Sequence, residues 1–489
     1  MLPFDLVIKN GRIVSETSDF VGDVAINGET IVALGHNLSG TSEINASGKL
    51  VIPGAIDGHV HMRTERPKFA YDETFATGSV AAAFGGTTTM IDQIQADPGI
   101  RLGDALRDRR SLGEGESCID FSFHMNIREE SQQRLDEIAD VIDQGITSFK
   151  WFMAIPGWGI SDEFLMKGML TVGDAGALSI VHAENQGVLN AMRWRTPRRD
   201  ISRFTDNYPA SAEAAAIALA LSMAEVANCR TLVFHNTCTQ GVDAIRRAKA
   251  RGVKAFGEVC LAWLTHNDEV FAGDPIAAIP FLLTPPIRTA SDQRALWEGL
   301  RSGDLDIVST DHALMRRVPE ERALELAEYF GLSINVPPPN ENTPRDAEGN
   351  RLMPLLTPGG IETRLPLVFS LGVATGRISL HRWVQICSSQ PARLFDLDRK
   401  GQILPGFDAD IVIFDPHAER TYSVNNLHSN TDYSVWEGWN CRGVVGKTLV
   451  RGKLVVDGNR FVATRDHGKF ISRKIGRPSY SISQEASLS

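Results

Sequence analysis

Two histidines separated by a single residue, His59 and His61, form the strongest local feature of the sequence that could carry chemistry. In a β-strand, residues i and i+2 point to the same side, so both imidazoles would face one point. Neutral imidazole nitrogens bind divalent metals such as zinc. The pair is a weak signal by itself, because strands contain such pairs by chance. The preceding residues 51–56 are largely apolar and predict a buried strand that would deliver both histidines to a metal site.

Four further side chains that could bind a metal or move a proton each follow an apolar, strand-like run. They are Lys150, His182, His235 and Asp311. Each has an ordinary structural interpretation, since a histidine at a strand end is more often hydrogen-bonded and a lysine there usually extends to solvent. Taken together, the order His-x-His, Lys, His, His, Asp is much harder to explain by chance. The sequence therefore predicts one site to which several strands contribute.

The elements that would position these residues alternate between strand-like and helix-like segments from Pro53 to Pro391. Predicted strands include residues 118–124, 148–152, 179–182, 231–235 and 305–309, and predicted helices include residues 130–144, 210–227 and 241–251. Repeated βα units over this length favour an α/β fold, the (β/α)8 or TIM barrel, which typically has about 250 residues. Because barrel enzymes place catalytic groups at the carboxyl ends of their strands, this fold would bring the candidate residues together.

Both ends of the chain read as β-structure. Short β-branched runs at residues 5–9, 23–26 and 30–34 are separated by Asn-Gly turns, and similar runs return at residues 410–414, 447–450 and 453–456. We therefore predict a small β-sandwich domain built from residues 1–53 and 404–460, with the barrel spanning residues 54–403. Residues 461–489 form a polar, serine-rich tail, predicted to be an extended arm or disordered because little in it could bury a core.

Composition excludes several classes of partner. The net charge of -10, with no basic cluster, argues against nucleic acid. The most apolar helix candidate, residues 214–227, is too short to cross a membrane, and no secretion signal opens the chain. Six cysteines without a Cys-x-x-Cys pair predict reduced, buried thiols. Together these features favour a cytoplasmic enzyme that acts on a small molecule.

Longer motifs around the candidate residues resemble the binuclear amidohydrolase superfamily, in its hydantoinase, dihydropyrimidinase and allantoinase branch. The resemblance covers roughly residues 5–460 and its motifs are highly specific when taken together. The matching stretches are GAIDGHVH (54–61), AFGGTTT (83–89), GITSFKWFM (145–153), VHAEN (181–185), TPPIR (284–288), STDH (309–312), GIETRLP (360–366), PARLF (391–395) and KGQILPGFDAD (400–410).

This resemblance implies roles that spacing alone does not supply. In the family, the strand-four lysine reacts with carbon dioxide, and the resulting carbamate bridges two metal ions, so Lys150 is expected to carry it. His59, His61 and Asp311 would complete the site of one metal, and His182 and His235 would hold the other. Zinc is the usual ion, and manganese or cobalt also fits these nitrogen and oxygen ligands.

The resemblance further implies hydrolysis of a cyclic amide by a hydroxide that bridges the two metals. Asp311 would accept the proton of that water and deliver it to the leaving ring nitrogen. Asp57 and Glu184 are candidates for orienting the histidines, although a capping or ion-pair role is as plausible. The family also implies a homotetramer or homodimer.

The sequence departs from the hydantoinase pattern in one loop. Ile155 stands where these enzymes carry a tyrosine that donates a hydrogen bond to the developing oxyanion, and isoleucine has no such donor. With Trp151, Phe152 and Trp158, it makes the loop apolar, which indicates either a pocket wall for an aryl or alkyl substituent or a packing surface. The family's backbone contacts to substrate fall on three further residues. They are Thr284, Gly359 and Gly360.

Three functions are compatible with parts of this sequence pattern. A hydantoinase- or dihydropyrimidinase-like cyclic amidase is the leading one. An allantoinase also lacks the tyrosine, but its small polar ureide suits the apolar loop less well. A non-catalytic scaffold relative would have lost metal ligands, whereas all six expected positions are filled here.

Overall fold

The first five strands of the chain lie outside the barrel. The computed structural model describes residues 3–63, 71–155, 157–195, 199–329, 331–340, 343–355 and 359–476. The five strands are β1 (Phe4–Val14), β2 (Asp19–Asn27), β3 (Thr30–Gly35), β4 (Gly40–Asn45) and β5 (Leu50–Pro53). β1 pairs with β2 in antiparallel fashion, and with β4 and β5 in parallel fashion.

Eight parallel strands then form a nearly closed barrel in chain order, which confirms the predicted fold class. The strands that follow β5 are β6 (Ala55–Val60), β7 (Thr87–Gln95), β8 (Asp120–Asn126), β9 (Ser148–Phe152), β10 (Leu178–His182), β11 (Arg199–Asp200), β12 (Arg230–Val233), β13 (Ala255–Cys260) and β14 (Ile307–Ser309), of which all but β11 belong to the barrel. The ring closes where His61 N donates to His312 O at 2.7 Å and His312 N donates to His59 O at 3.3 Å. The first and last barrel strands therefore meet at the predicted site.

Helices connect the strands, as expected for repeated βα units. They are α1 (Phe75–Phe84), α2 (Leu102–Gly113), α3 (Gln132–Asp143), α4 (Asp162–Asp174), α5 (Gln186–Arg195), α6 (Ala210–Val226), α7 (Thr239–Ala250), α8 (Leu261–Thr265), α9 (Pro275–Ala278), α10 (Ala290–Ser302), α11 (Glu320–Tyr329), α12 (Arg364–Val368), α13 (Leu380–Val384) and α14 (Gln390–Leu394). Two glycines join α1 to β7. A Cβ on Gly85 would lie 2.6 Å from Ile361 O, so only glycine allows this close approach.

The remaining strands complete the terminal sheet. After the two-residue strands β15 (Val318–Pro319), β16 (Leu332–Ser333) and β17 (Leu352–Met353) come β18 (Ile411–Thr421), β19 (Asn440–Val450), β20 (Lys453–Asp457) and β21 (Arg460–Phe461). β5 pairs antiparallel with β18, which joins the two ends of the chain in one sheet. Isoleucine, valine and leucine side chains from both ends form its separate core. The domain boundaries at residues 53, 403 and 460 stay predictions.

One described stretch, Ile201–Val226, is long and apolar enough to cross a membrane by length and composition alone. It is not one continuous helix, because Tyr208 (φ −130°, ψ 65°) and Pro209 (φ −62°, ψ 141°) separate the 3-10 turn Ile201–Asn207 from α6. α6 packs against α7 and β12, as a helix of the outer ring does. The expectation that no segment spans a membrane stays a prediction.

The C-terminal segment, defined here as residues 467–476, differs from its prediction. It packs under the barrel, where Ile471 N donates to Phe121 O at 2.7 Å and the Phe470 ring stacks on Phe123. Arg473 is only 1% exposed. Residues 467–476 are extended, as one of the two predictions for the tail has it, but the expectation that the tail buries little is wrong for them. Carbonyl and hydroxyl oxygens accept the N–H groups of Arg473 and so permit its burial. Residues 477–489 lie outside the described residues.

Candidate metal centre

The barrel brings all six predicted metal ligands to the carboxyl ends of its strands. His59 and His61 lie at the end of β6, Lys150 in β9, His182 at the end of β10, His235 after β12 and Asp311 after β14. All of them are buried except Asp311, whose side chain is 25% exposed. The parallel strands end on one side of the barrel, which is why residues far apart in sequence meet there.

Asp311 connects the histidines of β6. Its Oδ1 lies 3.1 Å from His59 Nε2 and 3.0 Å from His61 Nε2. Lys150 Nζ lies 3.1 Å from the same Nε2 of His59. These four side chains therefore surround one small volume, to which β6, β9 and the end of β14 each contribute.

A second pair of ligands lies beside the first group. His182 Nδ1 and His235 Nε2 are 3.0 Å apart, so two imidazole nitrogens point at each other. The ring of His235 lies 5.8 Å from the ring of His59, measured between centroids. The six side chains thus form two adjacent clusters, as a binuclear centre requires.

Two buried glutamates determine which imidazole nitrogens keep their lone pairs. Glu258 Oε2 accepts a hydrogen bond from His59 Nδ1 at 3.0 Å, and Glu184 Oε2 accepts one from His182 Nε2 at 3.0 Å. Carboxylates only accept, so the hydrogens lie on those nitrogens. The lone pairs of His59 Nε2 and His182 Nδ1 consequently point into the centre, where a metal would use them.

This arrangement fits a bound cation. His59 Nε2 has no hydrogen to offer, yet it faces the carboxylate oxygen of Asp311 at 3.1 Å, a contact between two lone pairs that a positive charge between them would relieve. Burial lowers the pKa of His61 to about 3 and lowers that of His235 well below its usual range, so both imidazoles are neutral. Neutral imidazoles with a carboxylate are a ligand set suited to zinc, manganese or cobalt.

Two of the ligands stand on strained backbone. His235 has φ +37° and Asp311 has φ +54°, in the left-handed region that few residues other than glycine adopt. Glu258 Oε2 accepts the N–H of His235 at 2.9 Å, which helps to hold this conformation. Asp57 accepts from His59 N at 3.2 Å and from Thr310 Oγ1 at 2.8 Å, so it fixes the backbone on both sides of the centre and does not contact an imidazole. Such strain is typical of functional sites.

Glu258 should therefore control metal affinity. We expect Glu258→Gln to weaken metal binding by about 10- to 100-fold, because a neutral amide oxygen polarises the His59 ring less than a carboxylate oxygen does. The glutamine NH2 group would also be buried at the position of Oε1, which has no hydrogen-bond partner in the structure. The measurement is the metal retained per chain during dialysis against a graded series of chelator concentrations. Glu163→Gln on exposed α4 is the matched control, and equal retention by the two variants would refute this role.

The apolar segment 151–158, which begins in the last two residues of β9, divides into two parts. Trp151 is fully buried and packs against α4, where a Cβ on Gly168 would lie 2.3 Å from its ring, so it belongs to the core and not to a pocket wall. Phe152 points the other way, with its ring 5.8 Å from that of His182, and the Trp158 ring packs edge-on against it at 5.0 Å. Phe152 and Trp158 therefore remain candidates for the wall.

Ile155 has φ +102°, an unusual conformation for a β-branched residue. Its N–H donates to Gln186 Oε1 at 3.1 Å. The side chain offers no donor, and the backbone donor already has a partner. Residue 155 thus supplies no hydrogen bond to an oxyanion in this conformation.

Two of the three predicted backbone-contact residues, Gly359 and Gly360, lie beside the centre. A Cβ on Gly360 would lie 3.5 Å from Thr310, and one on Gly359 would lie 3.5 Å from His312, so both glycines adjoin Asp311. Thr284 is half-buried and precedes Pro285–Pro286, whose second carbonyl accepts from Trp263 Nε1 at 3.1 Å. Their contact with substrate stays a prediction, and Thr357 of the same loop lies outside the described residues.

Sequence reasoning missed two residues. Glu258 is one of them, and its usable signal in the sequence is an acid between apolar neighbours at the end of a barrel strand. Asn126, at the end of β8, is the register partner of Lys150 in β9, and both polar atoms of its buried amide lack hydrogen-bond partners in the structure. Unsatisfied buried amides are costly, so Asn126 is available to a polar ligand beside Lys150.

The barrel and its histidine, lysine and aspartate centre define a class of metal-dependent hydrolases, and comparison with known proteins identifies the family. Residues 50–455 match the model of the Amidohydrolase family, and the chain belongs to this metal-dependent family. A D-hydantoinase from Rhizobium radiobacter is 34% identical over 481 residues, which cover 96% of this chain and 99% of that protein. A D-phenylhydantoinase from Escherichia coli is 32% identical over 483 residues, which cover 96% and 98%.

Solved structures agree with this assignment. The crystal structure of dihydropyrimidinase from Brevibacillus agri superposes with a TM-score of 0.88 at 32% identity, covering 96% of this chain and 99% of that one. The resemblance to the hydantoinase branch, predicted from the sequence, is confirmed. The allantoinase alternative is not favoured by these relatives.

Proposed function

We propose that the protein hydrolyses the C–N bond of a cyclic amide, opening the ring of a hydantoin, a dihydropyrimidine or a related cyclic imide. The observation that carries this proposal is the convergence of His59, His61, Lys150 and Asp311 within about hydrogen-bond distance, beside the His182–His235 pair. Full-length similarity to hydantoinases supports the same substrate class.

The proposed cofactors are two divalent cations, with zinc preferred and manganese or cobalt as alternatives. His59, His61 and Asp311 would hold one ion, and His182 and His235 the other. Lys150 would contribute to both after reaction with carbon dioxide, in which its neutral amine forms an N–C bond and releases one proton. When bound, such ions lower the pKa of a water and polarise a carbonyl group.

Asp311 would move the proton. It is the most exposed of the six ligands, so it faces the side from which substrate and water arrive. As a carboxylate, Asp311 would accept the proton of the attacking water and then give it to the departing ring nitrogen.

Phe152 and Trp158 would form an apolar wall for a ring substituent. Arg128 lies 3.7 Å above the Trp158 ring and fixes its position. We expect Trp158→Ala to lower kcat/KM about tenfold for an aryl-substituted hydantoin, with little change for unsubstituted hydantoin, because only the first loses apolar contact. Trp194→Ala, at a tryptophan that is 85% exposed, is the control. Equal losses on both substrates would contradict the wall.

The test of the proposed function is a substrate panel for metal-loaded protein prepared with bicarbonate. It contains hydantoin, aryl- and alkyl-substituted hydantoins, dihydrouracil, succinimide and allantoin. Ring opening of the hydantoins or dihydrouracil is expected. Turnover of allantoin alone, or no turnover of any member by protein that retains two metals per chain, would overturn the proposed substrate class.

We also propose that the enzyme is a cytoplasmic homotetramer or homodimer. Family resemblance supports the assembly, and the cysteine usage supports a reducing compartment. Sedimentation equilibrium measures the assembly directly, and a monomer at micromolar concentration would contradict it.

A further inference from the structure

The C-terminal segment, residues 467–476, runs across the end of the barrel opposite the metal centre. Phe121 N donates to Lys469 O at 3.0 Å, and Arg473 N donates to Gly145 O at 3.1 Å. Phe121 lies near the start of β8, and Gly145 shortly precedes β9. The segment is therefore hydrogen-bonded to the backbone at the amino ends of β8 and β9, and it covers this end of the barrel.

Arg473 extends from this segment into the barrel. Its guanidinium donates to Ser148 Oγ at 2.9 Å, to Phe395 O at 3.4 Å and to Phe123 O. Within the described part of the chain, no carboxylate lies within ion-pair distance of Arg473, and the nearby Asp396 is paired with Arg230. Burial lowers the pKa of Arg473 to about 10, although the attraction of Asp396 opposes this shift. A buried charge without an ionic partner is costly.

The bonds beyond Ser148 form a chain with only one possible arrangement of hydrogens. His124 Nε2 lies 2.9 Å from Gly58 O, and a carbonyl only accepts, so Nε2 carries the hydrogen. His124 Nδ1 must then accept from the hydroxyl of Ser148 at 2.5 Å. Ser148 Oγ in turn accepts from Arg473, which only donates. We call this series Arg473–Ser148–His124–Gly58 the relay.

The relay ends at the strands that carry two of the metal-binding residues. Gly58 directly precedes His59 on β6, and Ser148 is two residues before Lys150 on β9. Phe395, whose carbonyl accepts from Arg473, also packs on Gly58, where a Cβ would lie 2.3 Å from its ring. The hydrogen bonds of the relay and the packing of Phe395 on Gly58 both hold β6 in place relative to β9. They therefore also hold Lys150 Nζ at 3.1 Å from His59 Nε2.

We propose that Arg473 is a positioning residue of the metal centre, acting from the C-terminal segment through Ser148 and His124 to hold His59 and Lys150 in place. This inference rests on the metal binding in the proposed function but not on the substrate. It makes the segment part of the machinery that retains metal.

The test compares metal release from loaded Arg473→Ala, Ser148→Ala, the double variant and Lys474→Ala into excess chelator. Lys474 is the adjacent exposed residue and serves as the control. We expect release to accelerate about tenfold in each single variant. The double variant should be no faster than either one, because both changes break the same chain. Lys474→Ala should match the wild type.

A thermal melt of the metal-free variants separates positioning from simple stability. If Arg473→Ala melts at a lower temperature but releases metal at the wild-type rate while folded, Arg473 is only structural and the proposal is overturned. If Arg473→Ala does not fold, Ser148→Ala, which retains Arg473, is tested by the same metal-release assay and thermal melt. Wild-type metal release from folded Ser148→Ala would then overturn the proposal. The assay measures metal release and not ring opening, so its result does not depend on whether the proposed substrate is correct. Wild-type protein that retains no metal would overturn both the proposed metal-dependent function and the role of Arg473.

Discussion

Replacing Lys150 with alanine is expected to abolish ring opening, with a loss of at least about 10³-fold in kcat, or about 4 kcal/mol. Lys150 is buried and its Nζ lies 3.1 Å from His59 Nε2, inside the cluster of ligands. An ammonium there would repel cations, whereas a carbamate on the same nitrogen offers two anionic oxygens. Alanine leaves the two proposed ions without a shared anion, so metal content should fall together with activity.

Two controls make the Lys150 result specific. Lys167→Ala, on exposed α4, changes a lysine whose partner is Glu163 and should leave both activity and metal content unchanged. Short carboxylates such as acetate or propionate should partly restore the activity of Lys150→Ala, since they can occupy the vacated volume and supply anionic oxygens. A Lys150→Ala protein that binds two metals and works at the wild-type rate would refute the bridging role.

Asp311→Asn is expected to give the second-largest effect, a fall in kcat of about 10³-fold that lies within the usual range for removal of a general base. Asparagine has nearly the same shape and tolerates positive φ, so the backbone at φ +54° should persist. Its amide cannot accept the proton of the attacking water. Because Oδ1 also faces His59 and His61, binding of one metal should weaken as well.

The measurement for Asp311→Asn is the pre-steady-state rate of ring opening at saturating metal, so that loss of chemistry is separated from loss of metal. Asp136→Asn, on the exposed face of α3, is a matched control for the same chemical change. A variant of Asp311 that keeps more than about one-tenth of the wild-type rate would exclude it as the main base.

The sequence allowed the barrel and the ligand set to be predicted because both depend on local patterns. Apolar runs alternating with helical periodicity indicate βα units, and parallel strands bring the residues at their carboxyl ends together. His182 and His235 are 53 residues apart, yet each ends its own strand, and the structure places their nitrogens 3.0 Å apart. The β-branched runs at both ends of the chain likewise predict one terminal sheet, and the structure joins its two halves through β5 and β18. That particular pairing is not encoded in the runs, because residues 51–56 read as a strand leading into the barrel.

Other features depend on tertiary contacts that no local pattern encodes. The role of Glu258 follows from the position of β13 beside β12, which places its carboxylate between His59 and the backbone of His235. Arg473 lies in a polar segment of the sequence, and its hydrogen-bond acceptors, which include Ser148 Oγ and Phe395 O, come from distant parts of the barrel. Trp151 and Phe152 are both large apolar residues in the sequence, but consecutive residues of a strand face opposite sides, and Trp151 faces α4.

The most direct test of the central claim is a zinc titration of metal-free protein in bicarbonate buffer, with ring opening of the best panel substrate followed at each addition. We expect no activity without metal, and a rate that reaches its plateau when two ions are bound per chain. Lys150→Ala should show no such rise. Full activity in metal-free protein, or a plateau at one ion per chain, would contradict a binuclear hydrolase.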